Sequence, residues 1–80
     1  MKTHELKTWP TYFQAMERGE KSFELRKNDR DFHVGDRLYL REYDPITQKY
    51  SGHHRYVKVI YMIENFPGIE NGYVIMGIEK

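Results

Sequence analysis

The segment Gly19–Asp36, GEKSFELRKNDRDFHVGD, constrains the fold most, because half of its eighteen positions are charged and yet a strand pattern persists through it. Phe23 and Leu25 alternate with Ser22, Glu24 and Arg26, which gives an extended segment one apolar face and one face carrying an acid beside a base. The pattern is that of a folded strand presenting charge. It runs on through Lys27, Asn28, Asp29 and Arg30 to Val34-Gly35-Asp36, a turn signal before the next apolar alternation.

Around this segment the elements fall into place by their boundaries. Residues 2–8 predict a first strand with Leu6 inward between His4 and Thr8, ended by Trp9-Pro10. Proline is favoured at the first helical position, where its missing N–H would be unpaired anyway. A helix is therefore predicted over Pro10–Arg18, closed by Gly19 and presenting Tyr12, Phe13 and Met16 as its apolar face. Further strands are predicted at Lys21–Lys27, Arg37–Tyr43, Arg55–Glu64 and Tyr73–Glu79. The polar stretch Ile46–His53 reads as a loop or hairpin tip after the break at Asp44-Pro45. Several strands with one short helix make an α+β, mainly β domain. Closing the strands into a small barrel would hide their edges, although an open α+β sheet satisfies the same pattern.

Eighty residues suffice for one domain with an economical core, and twelve aromatics, seven of them tyrosine, supply its bulk. The absence of cysteine excludes a disulfide framework and a thiolate zinc site. His53 and His54 are adjacent and point to opposite faces of a strand, while His4 and His33 are remote, so no metal and no cofactor are expected. No apolar run approaches the roughly 20 residues of a membrane span, and MKTHELK lacks the apolar centre of a signal peptide, so a cytoplasmic location without a membrane partner is expected. Phosphate-loop and nucleophile-elbow motifs are absent. The formal charge is only +1, so affinity for nucleic acid has to come from a local patch, and the bases Lys21, Arg26, Lys27, Arg30, Arg37 and Arg41 cluster between positions 21 and 41.

The spacing Gly19-x-Lys21-x-x-Glu24-x-Arg26 resembles the G-x-K-x-x-E-x-R signature of the ASCH domain family, a branch of the PUA-like superfamily of small β-barrels. The opening His4-Glu5-Leu6-Lys7-Thr8-Trp9-Pro10, the run Arg26–Arg30, Val34-Gly35-Asp36, Glu42-Tyr43-Asp44-Pro45 and the closing Gly72–Gly77 look like a compact subfamily of bacterial and phage ASCH-like proteins. The resemblance covers nearly the whole chain and implies a single PUA-like (ASCH) β-barrel with one short helix over residues 1–80. It also implies a cleft beside the helix that holds RNA, a nucleotide or a modified nucleoside.

On that reading the binding residues are Lys21, Glu24, Arg26, Lys27 and Arg30, with Trp9 and Tyr43 bordering the cleft as stacking platforms. Arg26 and Lys21 address phosphate or base edges, and Glu24 accepts from an exocyclic amine. Hydrolytic members of the wider family act on the amide of N4-acetylcytidine with a lysine, a threonine and a glutamate. Lys21 matches the lysine, whereas Glu24 stands where the threonine would fall, so the nucleophile of that branch is missing. A non-enzymatic binding module is therefore expected ahead of a modified-nucleoside hydrolase working through Lys21 and Glu24. A phage or host protein-interaction domain is the third class. From the residues alone, Glu24 and Arg26 also describe an ion-pair ladder on a solvated face, and Trp9 a plug between barrel and helix.

Overall fold

The computed structural model describes residues 1–80. The elements are β1 (Thr3–Thr8), α1 (Pro10–Glu17), β2 (Phe23–Lys27), β3 (Arg37–Asp44), β4 (Lys49–Glu64) and β5 (Tyr73–Glu79). All five strands join in one sheet of order β1-β3-β4-β5-β2, in which β1 runs parallel to β3 and every other neighbouring pair is antiparallel. The protein is thus mainly β with one short helix. No helix is long and apolar enough to cross a membrane.

The sheet curls into a half-barrel whose concave face is the core. Leu6 from β1, Leu38 and Leu40 from β3, Val57 and Val59 from β4, and Val74, Met76 and Ile78 from β5 are all buried there with Phe13 and Met16 of the helix. The curl brings the two edge strands, β1 and β2, toward each other without a backbone ladder between them. Side chains bridge the gap instead. Arg26 Nη2 donates to the Lys7 carbonyl at 2.9 Å, and Arg30 Nη1 donates to the Glu5 carbonyl, so two guanidinium groups satisfy acceptors on the free edge of β1.

Three expectations change. The alternation in β2 is present, but its faces are reversed: Glu24 is buried while Phe23 and Leu25 are half exposed on the convex side. Register explains the inversion, since Glu24 and Arg26 lie opposite the inward Met76 and Val74, while Leu25 continues an outward row with Ile75 and Ile63. The stretch Ile46–His53 is a hairpin tip only as far as Gln48, and from Lys49 on it is strand. A tight turn held by Gln48 N–H to the Asp44 carbonyl at 2.7 Å, with Gln48 at φ 59°, starts β4 at Lys49 and pairs Tyr50 with Tyr43. This hairpin arm reads as loop because residues 49–56 are exposed on both faces. In the helix, Phe13 and Met16 form the buried face, whereas Tyr12 turns outward and stacks on Trp9 at 6.0 Å.

Candidate functional site

The end of α1 delivers the first site residue. Gly19, at φ 81°, donates its N–H to the Met16 carbonyl at 3.0 Å, and Glu20 N–H reaches back to the Ala15 carbonyl at 2.9 Å. This left-handed glycine cap stops the helix and turns the chain, and Lys21 N–H joins the same Ala15 carbonyl at 3.2 Å. Lys21 therefore leaves a rigid corner just before β2 begins. Its Nζ donates to the Glu24 carboxylate at 2.6 Å and to the Phe23 carbonyl at 2.7 Å. The lysine so reaches the inward face of β2 from the chain preceding the strand.

Glu24 is the centre of the site. Only 3% of it is exposed, and its second oxygen accepts Arg26 Nε at 3.1 Å. The carboxylate sits between two cations whose side chains are themselves largely buried. Removing one partner from such a buried arrangement is costly, unlike dissolving a surface pair. The solvated ion-pair ladder is therefore replaced by an inward cluster of net charge +1. Arg26 has five N–H donors and uses two here, and Lys21 keeps a third, so the cluster retains hydrogen-bonding capacity after its internal bonds are made.

A pocket of about 340 Å³ opens beside this cluster, lined by Thr8, Tyr12, Lys21, Phe23, Glu24 and Leu25. Its walls are mostly apolar, with charge at one end. Thr8 closes β1 facing inward and is 2% exposed, and its Oγ1 is the one buried side-chain polar atom without a hydrogen-bond partner in the protein. An unmet buried hydroxyl costs about 1–3 kcal/mol, and this one belongs to a residue that lines the apolar pocket. Two further hollows continue along the seam. Trp9, Tyr12, Leu25 and Arg26 line one, and Glu5, Leu6, Lys7, Arg26, Arg30 and Tyr50 line the other.

The expected site residues divide between this seam and the convex face. Lys21, Glu24, Arg26, Arg30 and Trp9 meet along the seam, with Trp9 at 53% exposure and therefore no plug. Lys27 points outward beside Tyr73 in the β2–β5 pairing, away from the cluster. Tyr43 lies on the convex face under Lys7, whose Nζ is 4.5 Å from the ring centroid, and packs edge-on to Tyr50 at 5.0 Å. Two residues go unnamed as site residues in the sequence, Thr8 and Tyr12. The only signal for Thr8 is a polar residue in phase with His4 and Leu6 at the inward positions of a strand. No group of three His, Asp or Glu side chains is placed to hold a metal ion.

The family described as "Domain of unknown function (DUF3850)" matches residues 3–78, and the chain belongs to that family. No curated protein matches it.

Proposed function

We propose that this DUF3850 domain is a non-enzymatic binding module that holds RNA or a nucleotide in the β1/β2 seam, as an ASCH-like, PUA-like domain of the cytoplasm. The observation that carries the reading is the Lys21–Glu24–Arg26 cluster, buried beside the unpaired Thr8 hydroxyl at the mouth of an otherwise apolar pocket. A flat base fits the apolar walls, its polar edge meets Lys21 and Thr8, and Trp9 and Tyr12 offer stacking surface at the rim. Arg26 and Arg30 then stand where a phosphate would lie, with N–H donors left over from the bonds that bridge the seam. The test is titration of the purified protein with cytidine monophosphate, uridine monophosphate and a single-stranded RNA dodecamer. Binding that falls at least about tenfold in Lys21→Ala is expected from loss of a charge-assisted hydrogen bond.

One observation favours a second reading, hydrolysis of an amide on a modified nucleoside. The hydroxyl missing at position 24 has a counterpart at Thr8, which lines the same pocket as Lys21 and Glu24. The binding reading expects no turnover of N4-acetylcytidine. Turnover that vanishes in both Thr8→Val and Lys21→Ala would replace it with the hydrolytic one.

A further inference from the structure

The convex face of the sheet is divided. Across β2, β5 and the end of β4 it is apolar apart from Lys27, with Leu25, Ile75 and Ile63 in one row. Across β1, β3 and the start of β4 it is cationic and aromatic. There the row Glu5, Tyr39, Tyr56 stacks two tyrosine rings at 4.7 Å, and the next row, Lys7, Arg41, His54, sets an edge-on His54 against Tyr39 at 5.3 Å. Arg41 lies 3.8 Å from the centroid of Tyr50. Cross-strand tyrosine pairs stabilise a sheet by themselves, but that does not explain why cations gather on this half. Lys7, Arg37, Arg41 and Lys58 share it with only two acids: Glu5, already bonded to Arg41 at 2.9 Å, and Glu79, opposite Lys58.

We infer that this half of the convex face is a second contact surface for single-stranded nucleic acid, continuous with the seam. Excess positive charge selects a polyanion, and the exposed ring of Tyr56, 54% accessible, offers a base a stacking partner that a duplex cannot use. Continuity comes from the hollow in which Lys7 and Tyr50 stand with Arg26 and Arg30, so a strand leaving the seam passes directly onto the β1–β3–β4 face. The surface extends the seam reading from one nucleotide to a strand of several, and it rests on that reading for its direction.

The test compares cytidine monophosphate with a single-stranded oligouridine dodecamer and a duplex of equal length, by fluorescence anisotropy at several salt concentrations. Arg37→Ala combined with Tyr56→Leu should weaken dodecamer binding by about tenfold and lower the salt slope by about 0.7, while leaving the monophosphate affinity unchanged. Arg37→Ala alone changes only an exposed side chain and should give the slope change by itself. Unaltered dodecamer affinity and slope in the double variant would overturn the proposal, as would an equal or greater affinity for the duplex. The seam reading fails separately, through monophosphate binding that is absent or survives Lys21→Ala. Dodecamer binding that still falls in the face variants would then uphold the convex surface alone.

Discussion

Glu24 and Asp36 are both buried carboxylates facing basic partners, yet they are held by different kinds of group. Asp36 accepts the backbone N–H groups of Lys2 and His33, each at 3.0 Å, and the ring Nε2 of the equally buried His4 at 2.9 Å. Burial pushes its carboxyl up, but the bonds from His4, Lys2 and His33 outweigh that and hold it down at about 2. It fastens the start of β1 to the turn before β3, where Phe32 packs edge-on to His4 at 4.7 Å. Glu24 is held instead by the ends of two long side chains, beside a pocket and an unpaired hydroxyl. A carboxylate fixed by two backbone N–H groups and one equally buried ring has no long side chain to release. One fixed by an ammonium and a guanidinium can share both with a ligand at little cost to the fold.

The largest effect should therefore come from Asp36. Asp36→Ala is expected to lower stability by about 3 kcal/mol, because three donors lose a charged acceptor inside the fold. Chemical denaturation measures it, and a loss no larger than that of Glu24→Gln would erase the contrast between the two carboxylates. Acid provides a second test on the same residue. Its folded value is depressed below the usual 3.8, so its contribution is complete above that pH and is lost as pH falls from 3.8 toward about 2. Melting temperature should drop through that window in the native protein, and less steeply in Asp36→Asn.

Thr8→Val sharpens the comparison from the other side. Replacing an unsatisfied hydroxyl by a methyl of the same shape should stabilise the free protein by about 1 kcal/mol, while ligand affinity falls about fivefold. A variant both less stable and unchanged in binding would mean that the hydroxyl serves the fold. The smallest effect belongs to Lys49, exposed next to the turn of the hairpin arm and lining none of the seam hollows. Lys49→Ala should leave nucleotide affinity within about twofold, which separates the seam from general charge.

Much of this arrangement is legible in the residues. Helix α1 follows from Pro10 and Gly19, and the spacing of two puts Glu24 and Arg26 on one face, whereas Lys21 is out of phase with them and joins them only from the chain that precedes β2. What the residues hide is which face of β2 points inward. A period of two describes both faces equally, and a strand with apolar residues on one and an acid and base on the other reads naturally with the apolar face inside. Here the inward positions lie at an open seam, where Glu24 and Arg26 serve better than Phe23 and Leu25, and the convex row with Ile63 and Ile75 takes the apolar pair. Thr8 is hidden for a related reason. Its nearness to Lys21 depends on the curl of the whole sheet, which no local pattern encodes. The hairpin arm of β4 is missed because exposure on both faces removes the alternation that marks a strand.

The most direct measurement is calorimetric titration of the native protein and of Lys21→Ala with cytidine monophosphate, at one ionic strength and with both proteins shown to melt cooperatively. If Glu24 and its cations form a binding site, affinity falls by at least about tenfold in the variant, whose melting is lowered by the loss of a buried partner but stays cooperative and above the titration temperature. Equal affinity in the two proteins, or no binding by either, would contradict it.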